Sequence, residues 1–137
     1  MCFEPYLHFQ GDCAAAMAFY ADVFGGDLTM MRYAEAPGAT PDAAGGDRVM
    51  HAALAVGGGS LMGSDYPPGM AGAAQASVSI SYGVPDIAAG QAVFERLAEG
   101  GEVVMPWGPT FWAQGFGMVK DRFGTHWMVS GPPAEGG

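Results

Sequence analysis

The chain alternates apolar and polar residues, switches to a helical spacing, returns to alternation, and then does all of this a second time. The segment Pro5-Tyr-Leu-His-Phe-Gln10 is rich in β-formers and carries its proline at the first position, where a missing N–H is tolerated. Gly11-Asp12 ends it, and Asp12 is the expected N-cap of a helix over 14–24. Met17, Tyr20 and Phe24 recur at helical spacing in that segment, with Phe19 and Val23 beside them. Gly25-Gly26 stops the helix, and 27–34 is predicted as a strand. Residues 35–47 form a Pro/Gly/Ala loop whose length marks a lid or a disordered segment. Two strands over 49–56 and 60–64 follow, joined by Gly57-Gly58-Gly59 as a hairpin. A Pro/Gly/Ala linker occupies 66–76.

The order then repeats. Residues 77–82 predict a strand, Asp86 a cap, and 87–98 a helix with Phe94, Leu97 and Ala98 on its apolar side. Gly100-Gly101 matches Gly25-Gly26, and strands over 102–105, 115–120 and 127–130 complete the set, with Lys120-Asp-Arg-Phe-Gly124 as a hairpin turn. A β-α-β-β-β unit therefore occurs twice, which predicts one α+β domain over 1–132, with repeat one at about 3–66 and repeat two at about 76–131. A single copy cannot cover both faces of its own sheet, so a doubled unit is informative. The polar, Pro/Gly-rich residues 133–137 are expected to be a mobile tail.

Composition narrows the function. A chain of 137 residues fits one domain without needing a disulfide or metal to hold it. Its formal net charge of −9 with five Lys and Arg excludes a phosphate-backbone partner and an anionic membrane surface. No apolar run approaches the ~18–20 residues a membrane helix needs, and the first residues lead into a strand rather than a basic segment followed by an apolar one. Cys2 and Cys13 make no disulfide framework, so both are expected to be structural thiols of a reducing cytoplasm.

Several stretches resemble the PhnB-like branch of the vicinal-oxygen-chelate (glyoxalase/bleomycin-resistance/dioxygenase) superfamily. They are Pro5-Tyr6-Leu7, Ala18-Phe19-Tyr20 with Val23-Phe24-Gly25-Gly26, Val49-Met50-His51-Ala52, and Leu61-Met62-Gly63-Ser64-Asp65. The C-terminal set is the most specific: Met105-Pro106, Thr110-Phe111-Trp112, Phe116-Gly117-Met118, Asp121-Arg122-Phe123-Gly124 and Trp127-Met128-Val129. The resemblance runs over about 5–130. It implies a curved mixed sheet around a cavity, and a homodimer to which the segment Trp107 to Trp112 contributes. It also brings a demethylubiquinone methyltransferase label carried by similarity. A methyltransferase of the usual class needs a doubly wound sheet with a Gly-rich first turn, which neither the strand order nor the length permits.

The superfamily's enzymes hold a divalent metal with four side chains, two from each repeat. Counting along the resemblance places these positions at Pro5, Met62, Ser79 and Met128, a set with no imidazole, carboxylate or thiolate. No metal and no other cofactor is expected. His8, three residues past Pro5, is expected to point away from the face Pro5 uses. A relocated site would draw on His51 and His126 with Glu35 or Asp65.

The remaining polar chemistry suggests a pocket. Ser77, Ser79 and Ser81 alternate with Val78, Ile80 and Tyr82, so three hydroxyls share a face if Val78 and Ile80 pack on the helix. Met62 and Met128 adapt to irregular apolar ligands, and Trp107, Phe111 and Trp112 offer an aromatic wall. His51 shares a face with Ala53 and Ala55, opposite Leu54 and Val56. The candidate ligand contacts are therefore His51, Ser77, Ser79, Ser81, Met62, Met128 and Trp112. No nucleophile–base pair and no phosphate loop is legible. The expectation is a metal-free protein that binds or sequesters a small organic molecule. The alternative is a glyoxalase-type lyase or isomerase using His51 or a relocated metal.

Overall fold

The computed structural model describes residues 3–35, 47–67, 70 and 72–135. Cys2, most of the 35–47 loop, parts of the linker and the last two residues lie outside them. The chain divides into two compact units, Met1–Ala74 and Gln75–Gly137. The first contains β1 (Tyr6–Phe9), α1 (Cys13–Phe24), β2 (Asp27–Arg32), a short 3-10 turn (Tyr33–Glu35), β3 (Val49–Val56) and β4 (Gly59–Asp65). The second contains β5 (Ser79–Gly83), α2 (Ile87–Ala98), β6 (Glu102–Gly108), β7 (Phe116–Lys120) and β8 (His126–Ser130). The sheets have the same topology, β1-β4-β3-β2 and β5-β8-β7-β6. In each, the first and last strands of the unit run parallel and the other neighbours antiparallel. This α+β architecture, with β-α-β-β-β twice, is the one the repeat predicts.

In the first unit the strand alternation decides which face α1 covers. Leu7, Phe9, Ala52 and Leu54 are buried with Cys13, Ala16, Met17 and Tyr20 of the helix. Each fully buried large side chain contributes roughly 1.5–3 kcal/mol. Gly63 lies opposite Leu7 and Ala52. A Cβ there would touch the Phe9 ring at 3.3 Å and Met17 Sδ at 3.5 Å, so the missing side chain lets the helix settle on the sheet.

The cap of α1 differs from the expectation. Asp12 makes no side-chain capping bond. The carboxylate of Asp65 does the work from the end of β4, accepting from Gly11 N at 2.7 Å and Cys13 N at 3.0 Å through Oδ1. Its Oδ2 accepts from Val49 N at 2.8 Å. A cap supplied from fifty residues away leaves no local signal. In α2 the local rule holds: Asp86 accepts from Ala89 N at 2.9 Å.

The second unit buries Phe94 and Leu97 against Val119, Trp127 and Val129. Trp107 joins this packing rather than an open aromatic wall. Its ring lies against the Phe94 ring at 5.9 Å and fills the space left by Gly90 and Gly115. Asp121 accepts from Phe123 N, Thr125 N and Trp127 Nε1, which ties the β7–β8 turn to the core. β6 is an edge strand with Val103, Val104 and Met105 exposed. Its ladder slips between Val103 and Met105 and again between Met105 and Gly108, a stretch that contains Pro106.

Two further expectations change. Val78 is 70% exposed and does not pack on the helix, and β5 begins only at Ser79. The expected mobile tail is tied down over its described part: Gln114 N donates to Pro132 O, Gln114 Nε2 to Pro133 O and Ala134 N to Trp112 O. The sequence carries no periodicity there from which such pairing would be read.

Candidate functional site

The helix-free face of the first sheet collects the chemistry of that unit. Its register places Tyr6 beside Met62, Met62 beside Ala53 and Ala53 beside Thr29, all with side chains on one face. One row along, His8 stands beside Ser64, and His51 beside Met31. Ser64 is only 7% exposed, whereas Tyr6 and Met31 are 39% and 41% exposed. His8 and His51 are exposed too. A small hydroxyl floor thus lies between two imidazoles, with thioethers and a phenol around them.

The rings form a continuous line. Tyr66 and His8 have centroids 5.4 Å apart, His8 and Tyr6 5.3 Å, and Tyr6 and His51 5.7 Å, with tilts of 30° to 37°. Tyr6 Oη is 3.0 Å from His51 Nδ1. His51 takes the face that the alternation of Leu54 and Val56 predicts. His8 points away from the face Pro5 uses, as its spacing predicts, and shares its face with Tyr6 and Met62. It is Pro5, lying before β1, that stands off this face. Tyr6, Tyr66 and Met31 were not singled out in the sequence. The Tyr6/His8 alternation against Leu7/Phe9 is the signal that would have found the first.

Behind this face a polar latch fixes the ends of β1, β3 and β4. Tyr66 N donates to Phe9 O at 2.9 Å, and Arg48 donates to Tyr66 O at 3.1 Å and Gln10 O at 3.3 Å. Tyr33 Oη donates to Asp65 O at 3.0 Å. Burial raises the Tyr33 phenol above its ordinary pKa, with the Asp65 charge adding to it, so it stays a donor at neutral pH. Cys13 is fully buried beside Asp65, and burial first, then the Asp65 charge, pushes its thiol up to about 12. The reactive thiolate is therefore scarce at pH ~8. Iodoacetamide on the native protein should leave the Cys13 peptide unmodified by mass spectrometry, with labelling only after unfolding. Rapid native labelling would show that the site opens.

On the second unit's own helix-free face, Ser79 pairs with His126 and Ser81 with Met128, which pairs in turn with Met118. Ser77 does not belong with them. It precedes the strand with a left-handed φ of 61°, so the expected three-serine face has two members. Trp112 is 46% exposed, packing edge-on against Phe111 and Phe116 at 4.8 and 5.2 Å. A shallow hollow of about 390 Å³ beside it is lined by Ile87, Pro109, Thr110, Ala113, Gln114 and Ala134, among others.

Residues 4–129 match the glyoxalase/bleomycin resistance protein/dioxygenase superfamily. The chain belongs to that superfamily. It is 31% identical to protein YjdN of Escherichia coli K12 over 140 residues, covering 95% of both chains. It is 42% identical to protein PA1353 of Pseudomonas aeruginosa, whose crystal structure superposes with a TM-score of 0.89 over 96% of this chain and 97% of that one. A structure from Bacillus cereus, described as a putative 3-demethylubiquinone-9 3-methyltransferase, PhnB protein, shares the fold. Its TM-score is 0.76 at 23% identity, over 96% of this chain and 99% of that one.

At the positions counted along the resemblance, the described residues are poor donors for the metal of the superfamily's enzymes. Among the described residues no three His, Cys, Asp or Glu side chains come together closely enough to hold an ion. Met62, Ser79 and Met128 stand on the strands named for ligands, and a thioether or hydroxyl is a poor partner for Zn²⁺ or Fe²⁺. Asp65, one carboxylate suggested for a relocated site, spends both oxygens on backbone N–H groups. Glu35 accepts from Arg32 N at 3.0 Å.

Proposed function

We propose that this glyoxalase-superfamily chain binds a small, partly aromatic organic molecule on the helix-free face of its first sheet, without a resident transition metal. The observation that carries the reading is the Tyr6–His51 hydrogen bond, standing exposed within the line of rings Tyr66, His8, Tyr6 and His51. Aromatic surface with a few placed polar groups is the usual make-up of a small-molecule site. Ala53 and Ser64 leave room between the larger side chains, and Met31 and Met62 supply adaptable contacts.

Binding or sequestration is favoured over turnover. A lyase or isomerase using His51 is the second reading, and the paired phenol and imidazole are what favour it. Chelator-resistant turnover of a small carbonyl substrate would establish that reading. The two mixed sheets lack the doubly wound strand order of the usual methyltransferases, which supports a chain that does not take S-adenosylmethionine. No helix among the described residues is long and apolar enough to cross a membrane. A cytoplasmic protein paired as a homodimer, with the exposed Phe111 and Trp112 at the contact, completes the proposal.

His51→Ala tests the site. The side chain is exposed, so the variant should lose on the order of 1 kcal/mol or less by thermal denaturation. Fragments whose nuclear magnetic resonance footprints fall on Tyr6, His8 and His51 should bind clearly more weakly. A large loss of stability with unchanged fragment affinity would make His51 a structural residue.

A further inference from the structure

We infer that His51 meets its ligand as a hydrogen-bond donor through Nε2–H, so that this face selects neutral aromatic molecules carrying a carbonyl oxygen. The inference rests on the proposed binding face and adds the chemical class of what it takes. A neutral imidazole holds one proton, and the partner of one nitrogen decides which nitrogen keeps it. Tyr6 Oη lies 3.0 Å from His51 Nδ1. A phenol O–H is a far stronger acid than a neutral imidazole N–H, so the phenol is the donor. Nδ1 is then an acceptor, and the proton sits on Nε2.

That proton has nowhere to go within the described residues. The Tyr6 bond is the hydrogen bond His51 makes there, its side chain is exposed, and Nε2 is the ring nitrogen farther from the strand. Its neighbours across the sheet are Met31 on one side and the recessed Ser64 on the other. The adjoining rings step along at 5.3 to 5.7 Å with tilts of 30° to 37°, so aromatic surface continues beside His51. The formal charge of −9 weighs against an anionic acceptor, so a neutral carbonyl suits the donor better than a carboxylate. A ligand without an acceptor would strip water from Nε2–H and return nothing, which is how a placed donor discriminates between near-isosteres.

Two measurements on the full chain test this. At about pH 8, long-range proton–nitrogen correlation of labelled protein should show His51 Nδ1 unprotonated and Nε2 protonated. Tyr6→Phe should remove that bias. Finding Nδ1 protonated in the parent protein overturns the inference. The second measurement titrates 2-acetylnaphthalene against its hydrocarbon isostere 2-isopropenylnaphthalene, following Tyr6, His8 and His51. The ketone should bind about five-fold more tightly, the value of one ordinary hydrogen bond, and His51→Ala should erase the difference. Equal binding of both probes at those resonances defeats the donor assignment but leaves the binding face standing. If neither probe moves them, the binding face itself fails, and the inference with it.

Discussion

Asp65→Ala is expected to destabilise the protein by roughly 3–5 kcal/mol, because it leaves buried backbone donors without acceptors. The carboxylate is 1% exposed and accepts from Gly11 N, Cys13 N and Val49 N at 2.7, 3.0 and 2.8 Å. Gly11 is exposed, so water can replace that bond; the other two are buried and cannot be resolvated without opening the helix start. Asp65→Asn should fall between wild type and alanine, since one oxygen survives while the amide N–H₂ faces a donor. Urea unfolding measures both. An alanine variant within about 1 kcal/mol of wild type would mean that water enters the latch freely.

Gly26→Ala should cost roughly 3 kcal/mol or more, whereas its neighbour Gly25→Ala should cost about half as much. Both residues have left-handed backbones, with φ of 91° and 75°. They differ in what a side chain would meet. At Gly25 a Cβ finds nothing within 4 Å, so only the backbone preference is lost. At Gly26 it would collide with the Ala55 carbonyl oxygen on β3, which cannot move without breaking the ladder. Gly101 carries the same burden in the second unit, where a Cβ would strike the Lys120 carbonyl oxygen on β7. Equal denaturation midpoints for the two alanine variants would contradict the collision.

The repeat order was legible because each unit spells out its own periodicity. Met17 and Tyr20 mark one helix, Phe94 and Leu97 the other, and each is stopped by a glycine pair. The face of His51 was legible too, since Leu54 and Val56 must face the helix. What depended on distant residues was not. Asp12 looked like a cap because local rules see only neighbours, while the acceptor came from Asp65. Pro5 was counted as a site position, yet it precedes β1 and falls on the opposite parity from Tyr6 and His8, because the register of β1 is fixed by its pairing with β4, not by its distance from the helix. Trp107 looked like pocket wall because nothing local to it announces that Gly90 and Gly115 leave a slot of its shape.

The edge strand β6 has a consequence for how the protein survives at high concentration. Val103, Val104 and Met105 lie exposed on a strand with one unpaired side, the kind of row on which another chain's strand can template aggregation. Pro106 carries no N–H, and two register slips interrupt the strand around it. Interruptions of this kind are how an apolar edge is kept from templating strand addition and fibres.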